Sequence, residues 1–170
     1  LREMISGGRV HSATNTIGGV RRDLKTEHIP TFLRGLEKLE QSTNYYIKLF
    51  ESDRTILARC ANLGVLSKEN AIKFCAVGPT SRASGVETDI RRDDPYGAYD
   101  ALSFDVAIER EGDVWAKGMV RLREILESIR IVRQAIKEMP GGPIRTKVDS
   151  QIPPNETVER TEAPRGELLY

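Results

Sequence analysis

Cysteine and histidine are scarce: Cys60, Cys75, His11 and His28 are all that the chain carries. A closed zinc or iron–sulfur site needs about four such ligands at close spacing, so these residues predict no metal site. The two cysteines read as reduced, buried, small apolar residues, in keeping with a cytoplasmic compartment. Long apolar runs are missing too, and nothing is expected to span a membrane. No signal peptide is read at the start. No sign of charge dominates: 26 basic and 25 acidic residues leave +1, which excludes a global pull toward nucleic acid or anionic lipid. Arg21-Arg22 is followed by Asp23, and Arg91-Arg92 by Asp93-Asp94, so both read as salt-linked loops. No catalytic triad is spaced around the isolated histidines. Gly7-Gly8 and Gly18-Gly19 match neither a Walker A nor a dinucleotide fingerprint.

What is present suits a folded domain. A hydrophobic fraction of 39% and a charged fraction of 30% are ordinary for a globular protein. A chain of this size buries about two thirds of its unfolded surface. It opens on Leu1-Arg2-Glu3-Met4 and closes on Gly166-Glu167-Leu168-Leu169-Tyr170, which reads as the start of a strand. Residues 1–170 are therefore expected to be an excised fragment, or the ordered part of a longer chain.

Periodicity predicts a mainly α, α+β fold: a helical bundle with one long central helix and a small antiparallel β region. Residues 1–27 read as the end of a helix and then loop. Pro30 opens a helix over 30–51, whose face is Phe32, Leu33, Leu36, Leu39, Tyr46, Ile47 and Phe50. A shorter helix over 53–62 stops at Gly64. Ser67 caps another, ending near 75 at Gly78-Pro79, with Ala71, Ile72 and Phe74 partly inward. Residues 78–95 carry no period and read as a long loop, and 96–102 as a turn of helix. Phe104, Val106 and Ile108 alternate with Asp105, Ala107 and Glu109, the pattern of a half-buried strand. Asp113 caps the longest helix, over 113–139, which Pro140-Gly141-Gly142-Pro143 ends. Short strands are predicted over 144–148, 157–161 and 167–170.

Three loops combine glycine with arginine: Ile17-Gly18-Gly19-Val20-Arg21-Arg22-Asp23, Gly78-Pro79-Thr80-Ser81-Arg82-Ala83-Ser84-Gly85-Val86, and Glu162-Ala163-Pro164-Arg165-Gly166-Glu167. Glycine lets backbone approach a partner closely. Arginine stays charged and clamps carboxylates. Two readings stand side by side: salt bridges that brace loops or interfaces, or a functional cavity.

These segments, with Asp89-Ile90-Arg91-Arg92-Asp93-Asp94-Pro95-Tyr96, Phe104-Asp105-Val106, Gly112-Asp113 and Val120-Arg121, resemble one family along essentially the whole chain. It is the large-subunit family of energy-converting nickel–iron (NiFe) hydrogenases and of the D subunit of complex I, the NADH-quinone oxidoreductase. The resemblance implies a redox-complex subunit at the cytoplasmic face of a membrane. Its expected partners are an iron–sulfur small subunit and membrane subunits. The NiFe centre of the hydrogenases is held by two Cys-x-x-Cys pairs, one near each terminus, and neither pair occurs here. No cofactor is therefore expected in this portion, which alone should be inactive. A NiFe centre, or a quinone, is expected in the full-length complex. Asp23 and Arg165 are carried over as catalytic residues, and Gly18, Gly19, Arg22, Arg82 and Glu162 as facing the cavity or the partner. A quinone-binding paralogue and a non-catalytic scaffold are the rival readings. Self-association through exposed apolar surface is expected of the isolated piece.

Overall fold

The computed structural model describes residues 1–10, 13–149, 151 and 153–170. Its helices are α1 (Arg2–Ser6), α2 (Ile29–Ser52), α3 (Arg54–Cys60), α4 (Lys68–Lys73), α5 (Gly78–Arg82), α6 (Ile90–Asp93) and α7 (Val114–Glu138). Strands β1 (Asn15–Thr16) and β2 (Gly19–Val20) form one antiparallel hairpin, and β3 (Arg160–Ala163) and β4 (Gly166–Leu169) another. Two short 3-10 turns, Thr26–His28 and Tyr99–Ala101, complete the regular structure.

The two long helices form the body, as their periodicity predicts. Phe32 and Leu36 of α2 close on Ile129 of α7, with Ile125, Val132, Ile136 and Ile5 packed around them. Beside this, Ala116 and Val120 of α7 bury Ala83, flanked by Ala107 and Trp115. Near the start of α7 the helices approach closely. A Cβ at Gly118 would collide with the Phe50 ring, and Trp115 Nε1 donates to the Phe50 carbonyl at 2.9 Å. Glycine at 118 thus admits the Phe50 ring against α7. The face of α2 is narrower than its pattern implied. Leu33, Leu39 and Tyr46 are exposed, whereas Thr43 is buried, its hydroxyl satisfied by donating to Leu39 O at 2.8 Å.

Asp113 fixes where α7 begins. Its Oδ1 accepts from Ala116 N at 2.8 Å as an N-cap, and its Oδ2 accepts from Asn62 N at 2.7 Å. One carboxylate therefore caps the helix and pins the chain leaving α3. Asp53 and Ser67 cap α3 and α4 in the same local way.

Several expectations fail, each for a traceable reason. Residues 78–95 are not one loop. Gly78-Pro79 starts a helix, since proline suits the first turn, and Asp89 caps α6. The segment 104–108 forms no strand. Its neighbour is α7, whose side chains take its backbone bonds: Ser103 N donates to Gln134 Oε1 at 3.0 Å and Asp105 N to Glu127 Oε2 at 3.3 Å. Alternation marks a half-buried extended chain and cannot supply a partner strand. Residues 144–148 likewise make one bridge, Gly19 to Arg145, and the strand predicted over 157–161 begins only at Arg160. Ile72 and Phe74 point outward, and only Ala71 of that helix is buried. Cys60 is half-buried, and Cys75 is exposed with a left-handed backbone, not the buried pair the sequence suggested.

Ile129→Ala should lower stability by about 2–5 kcal/mol through the cavity it leaves, because Ile129 is 2% exposed at the α2–α7 seam. Leu122→Ala, at a half-buried position, should cost less. Urea unfolding measures both, and an Ile129→Ala midpoint equal to the parent's would remove α7 from the centre of the core.

Candidate functional site

The most buried cation among the described residues is Arg82, the last residue of α5, with 2% of its side chain exposed. A guanidinium so placed must find partners for its N–H groups. Nε donates to Glu124 Oε1 of α7 at 2.7 Å, Nη2 to Glu162 Oε1 of β3 at 2.9 Å, and Nη1 to the Thr88 carbonyl at 2.9 Å. Asp89 Oδ2 lies 3.6 Å from Nη1. Arg82 thus joins α5, α7, β3 and the cap of α6.

Around this hub a second layer is built. Asp89, 1% exposed, receives a two-pronged ion pair from Arg91, at 2.9 Å from Nε and 2.6 Å from Nη2. The Arg91 guanidinium lies 5.1 Å from the Phe104 ring centroid and 6.0 Å from that of Tyr99, within cation–π reach. Tyr96 accepts the Glu162 backbone N–H on its hydroxyl at 3.1 Å. Glu162 Oε2 in turn accepts from Ile90 N at 3.4 Å.

The protonation preferences follow from these contacts. Burial pushes Asp89 upward, but the Arg91 hydrogen bond and charge, with Arg82, outweigh it and hold the carboxyl below its ordinary range. Glu124 goes the other way: burial prevails over the pull of Arg82, and its carboxyl sits above the ordinary range. The Asp89 partnership, opposed by burial, raises the Arg91 guanidinium, which stays charged.

A groove of about 700 Å³ opens beside the hub, lined by Arg82, Arg91, Arg121, Glu124, Ile125, Ser128 and the Glu162–Arg165 turn. The turn is brought in by glycine. Gly78 and Gly166 meet backbone to backbone, and a Cβ on either would overlap the other. Both also hold positive φ, 65° and 126°, so the β3–β4 hairpin seats on the start of α5 only with glycine in both places. Arg165 is exposed at this turn. Arg121 donates Nη1 to its own helix at Lys117 O, 2.8 Å.

The structure therefore brings together Arg82, Glu162 and Arg165 of the residues singled out in the sequence. Gly18, Gly19, Arg22 and Asp23 do not line this groove. Gly18 and Gly19 seat the first hairpin on the chain after α7, with Thr146 N donating to Gly18 O at 2.8 Å and Val20 N to Ile144 O at 3.0 Å. Arg22 lies against Gly7, and Asp23 is exposed just beyond β2. His11 lies outside the described residues. Sequence reasoning missed Glu124 as a site residue; it left only the weak signal of an acid beside the apolar stripe of a long helix. Arg82 is also on a helix, not in a loop, and its partners make it a brace between elements.

The donor set of the groove does not fit a nickel or iron centre, since guanidiniums and carboxylates line it without a thiolate. Among the described residues, no cluster of three or more histidine, cysteine, aspartate and glutamate side chains is placed to hold a metal ion.

Residues 1–156 match the family described as respiratory-chain NADH dehydrogenase, 49 Kd subunit. The chain belongs to that family. The chain is 39% identical over 170 residues to a carbon monoxide-induced hydrogenase of Rhodospirillum rubrum, covering 99% of this chain and 47% of the relative. It is 40% identical over 172 residues to the D subunit of the NADH-quinone oxidoreductase of Dehalococcoides mccartyi, again covering 47% of the relative. A solved structure, that of the membrane-bound sulfane sulfur reductase, an archaeal respiratory membrane complex, matches with a TM-score of 0.87 and 28% identity, over 98% of this chain and 47% of that one. The chain spans just under half the length of these relatives. By name these relatives are a hydrogenase, a subunit of an NADH-quinone oxidoreductase and part of a respiratory membrane complex. Among the described residues no helix is long and apolar enough to cross a membrane.

Arg82→Met should destabilise the fold by about 3–5 kcal/mol, since it strands buried carboxylates without their cation. Arg82→Met combined with Glu162→Gln should cost less than the two single changes added, because they share one interaction. Denaturant unfolding of the four proteins gives the coupling, and simple additivity would mean that Arg82 and Glu162 do not act together.

Proposed function

We propose that the intact protein is the catalytic large subunit of a membrane-associated, energy-converting nickel–iron hydrogenase. It would exchange electrons between hydrogen and protons and pass them to an iron–sulfur small subunit. The observation that carries this reading is the alignment with the carbon monoxide-induced hydrogenase: 39% identity over 170 residues, covering 99% of this chain. The NADH-quinone oxidoreductase D 2 subunit of Sinorhizobium medicae aligns over 198 residues, so it differs from this chain by sizeable insertions. The Arg165 turn supports the same reading, since among the described residues it presents a guanidinium without an acidic partner to the groove. The metal ligands belong to the remainder of the large subunit, and no step is assigned to the metal.

One finding favours a second reading, the quinone-binding D subunit of a quinone oxidoreductase. The Dehalococcoides D subunit aligns over 172 residues at 40% identity, with little insertion. In either reading we assign Arg165 to the groove and, on the family resemblance alone, Asp23 to moving or balancing a proton from outside that groove. The protein would sit at the cytoplasmic face of the membrane, held by its partner subunits.

The full-length gene separates the readings: two Cys-x-x-Cys pairs flanking this region mean hydrogenase, and a histidine-bearing N-terminal loop without them means quinone. In the purified complex, Asp23→Asn should lower turnover by about 100-fold, the lower range for a lost proton-transfer group, with subunit stoichiometry unchanged. Turnover within twofold of the parent would remove Asp23 from the reaction.

A further inference from the structure

The buried ion cluster does not balance. Asp89, Glu124 and Glu162 supply three carboxylates, against the two guanidiniums of Arg82 and Arg91. With every group ionised, one negative charge is left over, where the side chains of Arg82, Asp89 and Glu162 are 2%, 1% and 6% exposed. An unmatched charge in such a place is costly, and a carboxylate relieves it by taking up a proton.

The three carboxylates are not equal candidates. Asp89 accepts two side-chain bonds and one backbone bond from Arg91, all of which favour its ionised form. Glu162 accepts from Arg82 on one oxygen and from Ile90 N on the other. Glu124 accepts from Arg82 Nε on Oε1. It lines the groove and keeps 18% of its side chain exposed, so water reaches it.

We infer that Glu124 is the proton-holding group of this cluster: a carboxylic acid that binds a proton from the groove on Oε2 while Oε1 still accepts from Arg82. The reaction is the addition of one solvent proton to one carboxylate, and its reverse. The charged groups facing Glu124 are Arg82 from α5, Asp89 and Arg91 from the α6 region, Glu162 and Arg165 from the hairpin, and Arg121 one turn earlier on α7. Arg121 and Arg165 stand exposed, where solvent and salt screen them, so neither supplies the missing buried cation. The raised carboxyl of Glu124 agrees with this assignment. Negative charge entering the groove strengthens the hold on the proton, and by linkage the bound proton favours the anion. What the proton serves rests on the oxidoreductase reading; its presence on Glu124 does not.

The test is a carbon-13 NMR titration of the glutamate carboxyls in this chain, with Glu124→Gln to assign the signal. One carboxyl should titrate above 4.5, the ordinary glutamate value, and vanish in Glu124→Gln. In Glu162→Gln, which removes the excess charge, its midpoint should move down toward 4.5. A Glu124 midpoint at or below 4.5, or one unmoved by Glu162→Gln, overturns the assignment. Stability gives an independent readout should Glu162→Gln not fold. A folded carboxyl that binds its proton more tightly than the unfolded one makes the fold gain stability as pH falls through that window. The parent should therefore gain stability relative to Glu124→Gln between about pH 7 and pH 4.5. A constant difference would overturn the assignment. Neither readout uses turnover, so failure of the hydrogenase reading would leave both standing.

Discussion

A single guanidinium, buried on every side, sets the terms for the rest of this structure. Arg82 cannot leave the interior without carrying α5 with it. It cannot stay without acids from elements distant in sequence. Glu124 must come from the middle of α7 and Glu162 from the strand near the chain's end, 42 and 80 positions away. Desolvating a charge costs several kcal/mol after relaxation, so the arrangement tolerates little drift in how α7 and the β3–β4 hairpin meet α5. The Gly78–Gly166 contact is the geometric side of that requirement. Only bare backbone at both positions lets Glu162 reach across.

The two long helices provide the platform on which this happens. Their seam of Phe32, Leu36 and Ile129 is apolar and non-directional, so it holds α2 and α7 together without dictating their register. Directional bonds supply that. Trp115 reaches the Phe50 carbonyl, Asp113 ties the start of α7 to Asn62, and Arg133 pairs with Glu40 at 2.6 Å. The portion of chain held in common with these relatives thus builds a wall beside a groove.

In two of the three Gly-Arg loops the brace lies directly beside the groove. Arg82 and Glu162 form a brace, and the same two side chains line the groove with Arg165. The brace fixes the turn, and the turn presents the exposed guanidinium. Glu124 belongs to both layers, bonded to the hub on one oxygen and open to the groove.

The sequence by itself determined the local features. Apolar residues at helical spacing produced α2 and α7 nearly at their true bounds. Asp113 and Ser67 announced their caps, because a cap is a contact between neighbours. The Glu162–Glu167 run showed a turn between strands for the same reason. Only the tertiary structure decided what Phe104, Val106 and Ile108 pack against, that Ile72 and Phe74 face outward, and that 78–95 holds two helices. It alone decided that Arg82, Asp89, Glu124 and Glu162 are one cluster. Local propensity acts over a few residues, whereas burial of charge is settled between elements that the chain brings together only on folding. No spacing in the sequence encodes a distance of 2.7 Å between α5 and α7.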